Sequence, residues 1–181
     1  MATSTALVTV EEFRKLQDPP GLRLELHNGE VVEVTRPKLK HWILQTALAD
    51  LFKAAFGRAG RAGVEFPFRP QREHQLRVAD VAWISRERLK QTFNGDLLGA
   101  PEIVVEVLSP SNTASELLDK KHLCFGAGCE EFWIVDPKHR FIEVERRGDA
   151  PRVYRGSDRI PVGNTTTSVD EVFIDVESMD Q

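Results

Sequence analysis

The spacing of apolar residues changes several times along the chain, and each change marks an element. Between Leu39 and Phe56 they recur at Leu39, Trp42, Ile43, Leu48, Leu51, Phe52, Ala55 and Phe56. This is helical spacing, with Gly57 placed to stop the helix. Earlier, Thr9-Val10-Glu11-Glu12 has the form of a capping box and predicts a short helix to about Gln17. Residues 22–27 and 31–35 are strand-like and flank Asn28-Gly29, the strongest hairpin signal in the chain. Val64, Phe66 and Phe68 alternate up to Pro70, and Leu76, Val78, Asp80, Ala82 and Ile84 alternate after a polar turn, so 62–84 reads as two strands. Residues 103–108 are a compact β-branched run suited to a central strand. Ser109-Pro110-Ser111-Asn112 ends it and can cap a helix to about Ala127, closed near Gly128. Residues 132–135 predict a further strand ended by Asp136-Pro137, 141–145 with 152–155 a more exposed hairpin, and 172–176 a last short strand. A strand–helix–strand unit over 103–135 among these elements gives the α/β class, a mixed β-sheet flanked by helices.

Composition adds bounds. The 181 residues, 41% hydrophobic and 29% charged, suffice for one globular domain over 1–181. No apolar run approaches the roughly 18 residues of a membrane span. The start, MATSTALVTVEEF, has neither a basic stretch nor a long apolar one, so no signal peptide is expected. Two cysteines, Cys124 and Cys129, make neither a disulfide framework nor a zinc site, and a reduced, cytoplasmic protein is the simplest expectation. The net charge of −4 argues against indiscriminate DNA binding. Residues 58–90, however, carry eight Lys/Arg against four Asp/Glu, while 91–181 carry nine against seventeen. The basic third is either a solvated face or a steering surface for a nucleic-acid backbone. Walker A, Rossmann, His-Glu-x-x-His and Gly-x-Ser-x-Gly patterns are all missing from the sequence.

Two carboxylates stand where apolar residues belong. Alternation puts Asp80 on the face of Val78 and Ala82, and Glu106 is the only polar residue of Ile103-Val104-Val105-Glu106-Val107-Leu108. A buried carboxylate must be paired, protonated or bound to a cation. A core ion pair with Arg or Lys would satisfy either one alone, whereas two on neighbouring strands point to a site. With a backbone carbonyl such as that of Val107 they offer the hard oxygens that Mg²⁺ takes alongside phosphate. Lys120 and Lys121, on the next helix, could reach back over such an ion, or simply be solvated. Glu25 alternates with leucines, which predicts solvent exposure. Its functional alternative is a third acid that binds a second cation or a water. His41 could orient a phosphate or a water, or only cap or pack the long helix.

The segments Leu24-Glu25-Leu26-His27-Asn28-Gly29-Glu30-Val31-Val32, Ile103-Val104-Val105-Glu106-Val107-Leu108-Ser109-Pro110-Ser111 and Glu131-Phe132-Trp133-Ile134-Val135-Asp136-Pro137 together resemble the Uma2 family of the PD-(D/E)XK restriction-endonuclease-like superfamily. The likeness runs from about Thr9 to Val176. It implies a restriction-endonuclease-like core whose mixed sheet carries metal carboxylates. Asp80 matches the Asp of the first half-motif, Glu106 the acid of the second, and Glu25 the upstream acid. The lysine position two residues after Glu106 is Leu108 here. In this family the lysine is expected on the following helix, and counting back from Trp133 places it at Lys120, with Lys121 the second choice. Ala79 replaces a common proline, and Cys124 a common aromatic.

The activity so implied is an endonuclease that hydrolyses phosphodiester bonds in DNA with Mg²⁺, or Mn²⁺ as substitute. Asp80, Glu106 and the Val107 carbonyl hold the metal in this scheme. Lys120 stabilises the scissile phosphate and positions or deprotonates the attacking water, Glu25 is an auxiliary acid, and the 58–90 segment steers the DNA. The alternative is an inactive nuclease fold kept as a nucleic-acid-binding or interaction module. Cutting both strands of a duplex calls for two sites, which makes a homodimer an option.

Overall fold

A computed structural model describes residues 7–93, 95–110 and 113–179. The chain opens with helix α1 (Val10–Phe13), where Thr9 and Glu12 make the predicted capping box, though the helix stops short of Gln17. Strands β1 (Leu22–His27) and β2 (Glu30–Thr35) pair antiparallel about Asn28-Gly29, both with positive φ, as a tight hairpin turn requires. Helix α2 (Leu39–Phe56) follows with the predicted bounds. Strands β3 (Gly60–Arg69) and β4 (Arg77–Ser85) form a long hairpin, β5 (Thr92–Phe93) and β6 (Asp96–Leu98) a short one. Strand β7 (Ile103–Val107), helix α3 (Ala114–Gly126) and strand β8 (Glu131–Asp136) make the predicted strand–helix–strand unit, with β7 and β8 paired parallel. Strands β9 (Phe141–Arg146) and β10 (Arg152–Arg155) pair as expected, and β11 (Ile160–Val162) and β12 (Thr165–Thr167) form a small separate sheet. Helix α4 (Val169–Ser178) ends the chain.

The main sheet has eight strands in the order β10-β9-β8-β7-β4-β3-β6-β5. All five residues of β7 are buried, as its composition predicted, and it pairs with β4 on one side and β8 on the other. Alternate residues feed two cores. Val81, Ile103, Val105 and Trp133 pack beneath α2 and α4 with Leu48, Phe52 and Phe173. Ala82, Val104 and Phe132 pack on the other face with Cys124 and Leu117 of α3. The Phe52 and Trp133 rings meet edge to face at 5.4 Å. Gly60, at the start of β3, lies so close to the Ile84 carbonyl and Trp83 ring that any Cβ would overlap them. Gly60→Ala is therefore expected to cost about 2 kcal/mol or more in urea unfolding.

Three expectations need correction. Residues 172–176 belong to α4, not to a strand. The apolar run looks like β-structure locally, but Ser168 and Glu171 form a capping box, and Val169, Val172 and Phe173 are buried on one helical face. The cap of α3 is Thr113 with Glu116, not the Ser109–Pro110 break, whose Ser111 and Asn112 lie outside the described residues. The 141–145 strand is less exposed than predicted, because Ile142 and Val144 are buried in the core shared with α2 and α4.

Candidate active site

The site forms where β4 and β7 part. Their last ladder pair is Val81 with Val105, so Asp80 and Glu106 oppose each other one step beyond it. At this point β4 departs from the alternation the sequence predicts. Ala79 and Ala82 pack on the same side of the sheet, whereas Val81 packs on the other. One step of the pleat is thus lost at Asp80, opposite Glu65, whose φ is 50°. Asp80 turns away from the Ala82 face toward α2. Its Oδ1 accepts from Gln45 Nε2 at 3.2 Å, and its Oδ2 accepts from the Val107 N–H at 2.8 Å and lies 3.3 Å from His41 Nε2. Burial would raise its pKa, but the His41 contact, the Lys120 charge and the Val107 N–H together lower it.

Glu106 keeps the α3 side. Its Oε2 accepts from Lys120 Nζ at 2.7 Å, while its Oε1 is buried with no hydrogen-bond partner. Burial pushes its pKa up, against the pull of Lys120 and with a further push from Asp80, to about 7. Lys120 also donates to the Val78 carbonyl at 2.8 Å. Burial alone would discharge it, but Glu106, Glu25 and Asp80 around it raise its pKa. Glu25 is only 3% exposed, contrary to the solvent-facing expectation, because the β1–β2 hairpin folds this side chain into the cleft. Its oxygens are taken by Arg23 at 3.1 Å and His27 at 3.1 Å. Burial opposes ionisation, yet the His27 hydrogen bond with the Lys120 and Arg23 charges lowers its pKa to about 2.

Asp80, Glu106, Val107, Lys120, Glu25 and His41 all border one cleft of about 1370 Å³. Lys121, by contrast, is turned away: its Nζ lies 2.6 Å from Glu145 and 3.5 Å from Glu143 on β9. Lys121→Met is expected to lower stability by about 3 kcal/mol by stranding those carboxylates. The basic segment also sits differently than expected. Of its eight cations only Arg77 lines the cleft, while Arg69 is fully buried against Asp96. Arg36 and Lys38, from the link between β2 and α2, and Lys40, in the first turn of α2, supply positive charge at the cleft instead.

Sequence reasoning missed Gln45, Glu65, Arg23 and His27. Gln45 could have been found, since it follows His41 by one helical turn on the same face. Glu65, which accepts from Gln45 Nε2 at 2.6 Å, could not, because its place beside the site rests on the lost pleat.

Among the described residues no group of three or more His, Cys, Asp or Glu side chains is arranged to hold a metal ion. Two carboxylates and a main-chain carbonyl, however, suffice for Mg²⁺ when phosphate and water complete its shell. The donor chemistry fits. Glu106 Oε1 is an orphaned, buried anionic oxygen, and Asp80 Oδ1, with one donor, keeps a lone pair. Neither carboxylate sits in an arginine fork among the described residues; Glu106 does form an ion pair with Lys120, as the structural alternative allows, but the pair borders an open cleft rather than a closed core.

The sequence model of the Uma2 family, described as "Putative restriction endonuclease", matches residues 10–176. A crystal structure at 1.96 Å from Anabaena variabilis ATCC 29413, described as a putative nuclease belonging to DUF820, superposes with a TM-score of 0.78. It is 22% identical, and the match covers 92% of this chain and 98% of that one. That likeness establishes the shared fold. No curated protein matches the chain. Among the described residues no helix is long and apolar enough to cross a membrane.

Proposed function

Because the chain belongs to the Uma2 family, we propose that it is a Mg²⁺-dependent endonuclease that hydrolyses phosphodiester bonds in DNA. The observation that carries this reading is Glu106 Oε1, a buried carboxylate oxygen without a partner, beside Asp80 and Lys120 at the end of an open cleft. Asp80, Glu106 and the Val107 carbonyl would hold the divalent ion, which when bound supplies Lewis-acid polarisation of the phosphoryl group.

The chain's own residues divide the remaining work. Lys120 is kept protonated by three carboxylates, so it stabilises the negative charge that grows on the scissile phosphate and can position, but not deprotonate, the attacking water. Glu25 stays ionised at any working pH, so it serves as a fixed anion that keeps Lys120 charged rather than as a proton donor. Gln45, His41 and the Val107 N–H hold the Asp80 carboxylate in one orientation. Arg36, Lys38 and Lys40 attract the strand by its phosphates.

The test is cleavage of plasmid and of single- and double-stranded oligonucleotides. Products are expected with Mg²⁺ or Mn²⁺ and none with EDTA, and Asp80→Asn is expected to remove at least about 10³-fold of the rate. No cleavage of any of these substrates, or equal cleavage in EDTA, would overturn the reading.

A further inference from the structure

Arg77 opens β4 three residues before Asp80, and only 8% of it is exposed. It pairs across the strands with Phe68, on the sheet face covered by α3, which is the Lys120 side. A buried guanidinium is costly unless its donors are met. Here one of five is met: Nε donates to Gln75 Oε1 at 3.0 Å. Gln75, itself buried, is held in turn by Asn28 Oδ1 in the β1–β2 turn, so the plane of the guanidinium is fixed from behind. Its terminal nitrogens, carrying four N–H donors, have no protein acceptor among the described residues, and the residue is part of the cleft wall. Burial is the largest influence on the group and lowers its pKa, while Glu25, Glu106 and Asp119 pull it back up without touching it. Lys120 is bonded to the carbonyl of the next residue, Val78, so a second cation of the same cleft lies against the adjoining main chain.

A rigid fork of N–H donors in a cleft wall, with an ammonium against the adjoining main chain, matches a tetrahedral oxyanion that offers two equivalent oxygens. We propose that Arg77 binds a phosphodiester of the DNA strand in the cleft through a two-pronged contact to its non-bridging oxygens. This rests on the nuclease reading for the identity of the ligand, but not on cleavage for its test.

The test compares the full-length protein with Arg77→Lys and Arg77→Met. Inorganic phosphate is the first probe, read as a shift in melting temperature. A DNA oligonucleotide is the second, read as a Kd with Ca²⁺ in place of Mg²⁺. Phosphate is expected to raise the melting temperature of the wild type, to raise that of Arg77→Lys less, and to leave Arg77→Met unmoved. Oligonucleotide affinity is expected to fall about 30-fold or more in Arg77→Met, and by a smaller factor in Arg77→Lys, which keeps the charge and loses the fork. Should Arg77→Met not fold, the Lys variant decides alone: a folded protein with undiminished affinity refutes the contact. A wild type that responds to neither probe, or an Arg77→Met protein that responds as the wild type does, overturns the proposal. A phosphate response that depends on Arg77 without any effect on oligonucleotide binding marks a free-phosphate site and overturns it too. Arg77-dependent DNA binding without cleavage in Mg²⁺ upholds the contact and removes only the hydrolytic reading.

Discussion

Lys120→Met is expected to reduce Mg²⁺-dependent cleavage by at least about 10³-fold, equivalent to about 4 kcal/mol of transition-state stabilisation, while the protein stays folded. The ammonium is the nearest cation to Glu106 and is held, partly buried, between that carboxylate and the Val78 carbonyl. Three carboxylates hold it charged, so it arrives at the reaction without a change of protonation state. Losing one partner of a buried ion pair usually costs several kcal/mol, because the other charge is stranded. Glu106 escapes most of that cost. Its pKa already stands near 7, and without Lys120 it rises further, so at neutral pH the group takes up a proton and is buried neutral. Folding therefore survives where catalysis does not. Lys121→Met should give the opposite pattern, lower stability with cleavage unchanged, since that lysine is committed to Glu143 and Glu145. Paired rate measurements and urea melts on the two variants check both. Equal cleavage by the Lys120 and Lys121 variants would place the functional ammonium elsewhere.

What the sequence disclosed follows from which forces act locally. The β1–β2 hairpin, α2 and β7 were legible because a turn dipeptide, a helical stripe and a β-branched run are each complete within a few residues. The oddity of Glu106 was legible for the same reason, since a lone carboxylate in an apolar strand stands out without any knowledge of its neighbours. Helix α4 was not, because its five apolar residues fit either period and only the capping box of Ser168 and Glu171, ahead of the 172–176 run, decides between them. Asp80 was picked out by the same alternation that then misplaced it. The strand loses a step at that residue, and a period-2 pattern carries no mark of where a pleat fails. Glu25 looked exposed because β1 belongs to a small two-stranded sheet, and the cleft it folds over is built by β4, β7 and α3. Burial of that kind is a property of assembled elements. The basic 58–90 segment shows the same limit for charge: the count was right, but the fold spends Arg69 on Asp96 and Arg88 on the Gly128 carbonyl, and turns only Arg77 to the cleft.

Metal-free protein is expected to lose stability as pH rises from about 5 to about 8, and Glu106→Gln to abolish that loss. The folded-state pKa of Glu106 is raised from 4.5 to about 7. A raised carboxyl contributes stability that is fully present below its unfolded value and is gone once pH has passed its folded value. At about 1.4 kcal/mol per unit the rise corresponds to about 3 kcal/mol. Asp80 and Glu25 have the opposite sign. Their pKa values are lowered, so their contributions are in full force above the ordinary carboxylate range and disappear only in acid, for Glu25 toward about 2. The groups that face Glu106 are Lys120, Asp80 and Glu25, with Arg77 at longer range, and among the carboxyls only Glu106 changes charge between pH 5 and 8. A neutral amide in its place has no charge to strand, so Glu106→Gln should be more stable than the wild type at pH 8. On the proposed reading Mn²⁺ would supply the countercharge that Glu106 Oε1 lacks. Its stabilisation of the wild type should be full above pH 7 and weaken about tenfold in affinity for each unit below, because the ion must then displace a proton. Melting curves at pH 5, 6, 7 and 8, with and without Mn²⁺, test both halves. A Glu106→Gln protein that is no more stable at pH 8 yet still binds Mn²⁺ with wild-type affinity would show that this carboxylate neither strains the apo fold nor holds the ion.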